Sequence, residues 1–360
     1  EADNSTPEAG AVYVFTRSGT TWSQEAYLQA STTGGGDLFG SSVALSDAGT
    51  TLAVSAYFED SNATGIGGNQ SDNSASNSGA VYVFTRSGST WSQQAYVKAS
   101  NTDTQDSFGH ALALSADGST LAVGATGEDS NAVGVNGDRW NNTMNGAGAV
   151  YVFTRSGGTW SQQAYVKASN TRIGSNFGSS VALSGSGDVL AVGSQSETSA
   201  AVGVDGDQTD ASITNAGAVY VLARSSGAWS QKAYVKGSKV GSFQFGNDVA
   251  LSTDGKFLAV GALYDNGGGV GIDADQSNIS ALNAGAVFVF GQRNGTWAQD
   301  AYIKASNTNA YDYFGFSLAL SGDGGTLVVG ATGEDSSAVG VGGNEELNNV
   351  NMAGAVYVFR

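Results

Sequence analysis

The chain repeats itself with a long and nearly constant period. The pattern Gly-Ala-Val-(Tyr/Phe)-Val-(Phe/Leu) begins at Gly10, Gly79, Gly148, Gly217, Gly285 and Gly354, a step of 69 residues taken four times and of 68 once. A Phe-Gly pair keeps the same step, at Phe39, Phe108, Phe177, Phe245 and Phe314, and so does a tryptophan, at Trp22, Trp91, Trp160, Trp229 and Trp297. Register held this closely makes each copy one structural unit, and units that each lack a complete core must bury their faces on one another.

Each unit reads as four strands. In the copy that starts at Phe108, residues 110–115 form a short apolar run, and Ala116-Asp117-Gly118-Ser119 is a turn signal. Residues 121–125 make a second strand and residues 149–154, rich in β-branched and aromatic side chains, a third. Ser156-Gly157-Gly158 turns the chain into a fourth, over residues 159–168. The first three are nearly continuous apolar runs, the pattern of strands covered on both faces. The fourth mixes Trp160, Tyr165 and Val166 with Ser161, Gln162, Gln163 and Lys167, so it reads as an outer, half-wet edge. Four-stranded sheets repeated in this way describe the blades of an all-β propeller. An open solenoid is the alternative, but its coils are usually shorter than about 30 residues.

Composition narrows the function. The net charge is −17, from 32 acidic and 15 basic residues, which repels phosphate backbones and anionic headgroups and favours cations. Charged residues make up only 13% of the chain, and its polarity rests on Ser, Thr, Asn and Gly, as on many exported proteins. Without cysteine there are no disulfides or thiolate metal sites. No run of 18 apolar residues exists to span a bilayer as a helix. Glu1 falls within what reads as the tail of a repeat, which points to a leader removed upstream.

The order Phe-Gly, Val-Ala-Leu-Ser, Asp-Gly, Leu-Ala-Val-Gly-Ala, Gly-Ala-Val-Tyr-Val-Phe resembles the FG-GAP repeat of integrin α-subunit propellers and their bacterial relatives. Phe108-Gly109 and Gly124-Ala125 stand where that family has its namesake pairs. All five copies carry the pattern. The resemblance implies a non-catalytic extracellular or cell-surface adhesion or interaction module. Two features depart from the family. Its propellers usually have seven blades, and its calcium loop, Asp-x-Asp-x-Asp-Gly between the first and second strands, is here only a tight turn such as residues 115–120.

The repeat units are residues 39–107, 108–176, 177–244, 245–313 and 314–360, the last completed by residues 1–38. Residues 11–16 and 355–359 are both third strands, so one copy of that strand is duplicated across the termini. It is either an appended edge strand or a boundary feature, or it pairs with a neighbouring molecule and makes the chain a subunit that polymerises by strand exchange.

The loop between the second and third strands spans 22 residues in every copy, for example residues 126–147. A long loop of fixed length has a defined conformation and is a natural site of function. One of its columns holds Asn69, Asp138, Asp207, Asp275 and Asn344; Asn136, Asp205 and Asp273 lie two residues earlier, and Asp72, Asn141, Asp210 and Asn278 three later. Oxygen ligands at such spacing suit Ca²⁺, with Asp205, Asp207 and Asp210 the best set and Asp273, Asp275 and Asp138 next. The alternative is that Asp and Asn build the turns through their own backbone.

Trp140, beside Arg139, is the one tryptophan outside the strand motif and lies in this loop, where it could dock a partner or stack on a sugar. His110, the only histidine, has Ser41, Ser179, Asn247 and Phe316 at its place in other copies, which argues against catalysis. Acidic residues recur equivalently from copy to copy, whereas an active site is single. The expected function is therefore a non-catalytic scaffold that binds protein or glycan through the long loops. A polymerising structural subunit and a multivalent lectin are the alternatives.

Overall fold

The computed structural model describes residues 5–360; Glu1, and the leader inferred from it, lie outside the described residues. Every element among those residues is a β-strand, and the fold is the all-β propeller class with four-stranded blades. The chain divides into two compact units, one running to Ile173 and one from Gly174 to Arg360.

In the first unit, β1 (Val12–Ser18) and β2 (Thr21–Leu28) form a two-stranded sheet. It is followed by the blade β3 (Val43–Leu45), β4 (Thr51–Ala56), β5 (Ala80–Ser87) and β6 (Thr90–Val97). The next blade is β7 (Phe108–Leu114), β8 (Thr120–Ala125), β9 (Ala149–Ser156) and β10 (Thr159–Val166). The second unit begins with the blade β11 (Phe177–Leu183), β12 (Val189–Ser194), β13 (Ala218–Ser225) and β14 (Ala228–Val235). A further blade comprises β15 (Phe245–Leu251), β16 (Phe257–Ala262), β17 (Ala286–Arg293) and β18 (Thr296–Ile303). The unit ends in a three-stranded sheet of β19 (Phe314–Leu320), β20 (Leu327–Ala331) and β21 (Ala355–Phe359). All pairings within the sheets are antiparallel, each strand lying beside its neighbour in sequence.

The first strand starts earlier than the apolar run suggests. β7 begins at Phe108, which pairs with Ala125, and the register then slips before Leu112 meets Val123. Gly109, at φ 101°, makes that irregularity accessible. The turn to β8 is held by side chains. Ser115 Oγ accepts Ser119 N and Thr120 N, and Asp117 Oδ1 accepts Ser119 N at 2.9 Å.

Alternation along the strands splits each blade into two apolar faces. In the first unit, Tyr82, Phe84 and Tyr96 pack towards Phe39 on one face of their blade, while Val81, Val83, Ala95 and Val97 pack against Phe108, Leu121, Val123 and Tyr151 of the next. Within a blade Phe108, Tyr151 and Tyr165 form a ladder of rings at 5.3 Å, an edge-on and a tilted contact. The second unit repeats this with Val219, Val221 and Val235 against Phe245, Leu258 and Val260. Phe-Gly is the hinge of each junction. Gly79, at φ 81°, lies so close to the next repeat that a Cβ on it would stand 2.1 Å from the Phe108 carbonyl oxygen. Gly10, Gly217 and Gly285 approach Phe39, Phe245 and Phe314 in the same way.

Outer hairpins add polar links. The Arg155 guanidinium lies 5.4 Å from the Trp160 ring, and Trp160 Nε1 donates to Gln94 Oε1 of the preceding blade at 3.0 Å. Arg86 and Trp91 converge in the same way on Glu25. Arg86 and Arg155 thus join consecutive repeats, whereas Arg224 and Arg293 pair with Asp188 and Asp300 of their own repeats.

Candidate functional site

The long loops are residues 57–78, 126–147, 195–216, 263–284 and 332–353. Each leaves its second strand and immediately buries a carboxylate: Glu59, Glu128, Glu197, Asp265 or Glu334. Sequence reasoning missed what this residue meets. In the second of these repeats Glu128 takes the Lys167 ammonium at 2.6 Å, the Tyr165 hydroxyl at 2.7 Å and the Ser130 N–H at 3.2 Å. Glu59 takes Lys98 at 2.8 Å and Tyr96 at 2.8 Å. Glu197 takes Lys236 at 3.0 Å, and Asp265 takes Lys304 at 3.5 Å with Lys239 at 3.2 Å.

These lysines follow the fourth strand, read from sequence as half-wet, yet Lys167 is only 2% exposed. The outer half of β10 is wet and its last three residues are buried, so the polarity read into the strand belongs to one end of it. Burial pushes the Lys167 amine below its usual range, with the Glu128 charge opposing. Lys304 is pushed down to about 8, first by burial, with neighbouring Lys239 acting in the same direction. A lysine in constant register, always 39 residues after an acid, was the available signal.

The loop then returns to the fourth strand as an extra edge. Val135 bridges Val166, Lys167 N donates to Gly134 O at 2.8 Å, and Asn136 N donates to Tyr165 O at 2.7 Å. The first four loops are therefore anchored near their start by a buried ion pair and near their middle by backbone pairing.

The candidate calcium ligands serve this same architecture. Asp205, at φ 57°, accepts the Tyr234 N–H at 2.9 Å, and Asp273 accepts that of Tyr302 at 3.2 Å. Asp207 accepts Thr209 N at 2.8 Å, Asp275 accepts Ser277 N at 2.9 Å and Asp138 accepts Trp140 N at 3.0 Å. Asp210 takes the N–H groups of Ala200 and Ser212, and the first of these bonds holds its carboxyl below the usual range. Each carboxylate closes a turn of its own. Among the described residues no three histidine, cysteine or acidic side chains cluster together.

Arg139 and Trp140 separate in role. Arg139 donates to Ser100 Oγ at 2.7 Å, and its guanidinium lies over the Tyr165 ring at 5.5 Å, so it ties its loop to the preceding repeat. Trp140 is 72% exposed. Each loop after the first also shows an exposed valine in a fixed column: Val133, Val202, Val270 and Val339. His110 lies against Tyr57, ring centres 5.9 Å apart.

The FG-GAP repeat family matches residues 22–84, 91–153 and 297–359, more than half of the sequence. The chain belongs to the FG-GAP repeat family. FG-GAP propellers are generally non-enzymatic, typically belong to extracellular or surface proteins, and commonly bind calcium. No curated protein matches the chain. Among solved structures it is similar to a putative 6-phosphogluconolactonase from Bacteroides uniformis ATCC 8492, at 13% identity over 96% of this chain and 94% of that one, with a TM-score of 0.43. So distant a likeness carries no argument about activity.

Proposed function

We propose that the chain is a non-catalytic extracellular adhesion or protein-interaction scaffold whose long loops are the binding surface. The observation that carries this reading is the pairing of rigid anchors with exposed apolar tips. A loop tied near its start by a buried Lys–acid pair and near its middle by strand pairing loses little further entropy on binding, and Trp140, Val133, Val202 and Val270 are solvent-exposed contact groups. A protein partner fits these tips better than a nucleic acid, which a net charge of −17 repels.

The test is retention of the labelled chain on an array of immobilised extracellular-matrix proteins and glycans. Retention on proteins, weakened by Trp140→Ala and by Val133→Ser, is the expected result. Retention on glycans alone would replace the reading by the lectin alternative, and retention on neither would remove it. On this reading binding needs no metal, and EDTA is expected to leave the melting temperature unchanged. A fall of several degrees on chelation would return Asp205, Asp207 and Asp210 to the role of ligands.

A further inference from the structure

Three side chains converge on the Glu128 carboxylate, and two of them are an amine and a carboxamide. Glu128 Oε2 accepts from Lys167 Nζ at 2.6 Å, and Glu128 Oε1 accepts from Asn101 Nδ2 at 3.1 Å and from the Tyr165 hydroxyl at 2.7 Å. Asn101 follows β6 and Lys167 follows β10, so one carboxylate gathers the exits of two consecutive blades. The other end of the carboxamide is held as well. Tyr151 donates its hydroxyl to Asn101 Oδ1 at 2.7 Å, and Asn101 Nδ2 also donates to Arg139 O at 2.9 Å.

All the groups are buried: Asn101, Glu128, Tyr151, Tyr165 and Lys167, with the Phe108 ring stacked edge-on against Tyr151. A lysine in water is protonated and inert towards an amide, and desolvation is what makes it a nucleophile. Burial pushes the Lys167 amine down, and Glu128 stands within reach to take its proton.

Two other repeats keep the lysine and the acid without the carboxamide. Where this repeat has Asn101, the repeats of Glu59 and Asp265 have Thr32 and Ser238. There Lys98 donates to Ser78 Oγ at 2.8 Å and Lys304 to Gly285 O.

We propose that Lys167 and Asn101 join through an isopeptide bond between Nζ and Cγ, with Glu128 carrying the protons. Nζ, relieved of a proton by Glu128, adds to Cγ while the Tyr151 hydroxyl stabilises the charge growing on Oδ1. The Cγ–Nδ2 bond then breaks. Two of the three Nζ protons pass through Glu128 to Nδ2, which leaves as ammonium. Glu128 ends as the carboxylate it began, and nothing is oxidised or reduced. Amine and amide held on one carboxylate react as parts of one assembly, so no separate catalyst is needed. The product fastens consecutive blades covalently, as a disulfide would, in a chain that has no cysteine. The inference does not rest on the loop-tip reading, since none of these groups is a loop tip.

The experiment is mass spectrometry of a tryptic digest of the 360-residue chain, incubated folded and then denatured. The expected species joins residues 99–139 to residues 156–172, uncut after Lys167 and lighter by one ammonia than the two peptides together. Lys98 and Lys304 serve as internal controls, and cleavage after both is expected. Glu128→Gln should leave the two peptides separate, and Tyr151→Phe should slow their joining about a hundredfold, as loss of one oxyanion donor does. Separate peptides from the unaltered chain, with Asn101 intact or hydrolysed to aspartate, overturn the proposal, and that result requires no variant to fold. So does joining in Glu128→Gln at the unaltered rate, which would take the proton transfer away from Glu128.

Discussion

Lys167 illustrates how one residue ties a strand to a loop. Its ammonium is buried with Glu128 2.6 Å away, and the same carboxylate holds the first turn of the long loop through Ser130. Lys167→Met should therefore cost about 3–5 kcal/mol, because Glu128 is left as an uncompensated buried charge. Urea unfolding measures this, and adding Glu128→Gln should recover part of the loss. Asp106 has the opposite character. It is 2% exposed and pushed up to about 8, first by burial and then by the charges of Glu128, Asp103 and Asp129, against a bond from Asp103 N. An unfolded aspartate titrates near about 3.9. The folded chain thus keeps a proton that the unfolded chain releases, and the stability this gives is complete below about pH 4 and lost as pH rises towards 8. Asp106→Asn, neutral at every pH, should melt progressively higher than the unaltered chain between about pH 5 and pH 9. A constant difference across that series would refute the assignment.

At the scale of elements, the repeat is built from turns and close approaches that tolerate few residues. The Phe-Gly strands and Gly-Ala-Val strands meet at glycines with positive φ. Gly79→Ala would force a methyl into the Phe108 carbonyl and should cost about 3 kcal/mol or more, whereas Gly88→Ala, at φ 61° with open space around it, should cost about 1 kcal/mol. Equal costs in urea unfolding would show that the junction yields. The strands themselves were legible, since nearly continuous apolar, β-branched runs report burial on both faces directly. Strand ends were not. β7 starts at Phe108 because a bulge, absent from any apolar pattern, carries pairing past Gly109. The Asp and Asn columns were legible as columns, but their spacing fits a cation loop and a series of side-chain-capped turns alike. The positions of Thr209 N, Tyr234 N and Ala200 N show which turns these carboxylates close.

For the molecule as a whole, charge is the dominant long-range term. Thirty-two acidic residues face fifteen basic ones, and several of the basic ones lie in buried pairs that salt scarcely screens. What salt does screen is mutual repulsion of surface carboxylates. The melting temperature should rise as NaCl goes from about 20 mM to about 500 mM. A fall would mean that exposed ion pairs carry more of the stability than their number suggests.

The repeat, the four-stranded unit, the all-β class and the family were all present in the sequence, because a 69-residue period and short apolar, β-branched runs are written in residue order. Partnership across the fold was not. That Lys167 turns inward to Glu128, that Asn101 shares that carboxylate, and that Arg139 reaches Ser100 depend on distances between residues far apart in the chain. A lysine on a wet strand and a lysine on a buried carboxylate read alike in sequence. Desolvation, which makes the second one matter, exists only once the neighbouring strands have closed around it.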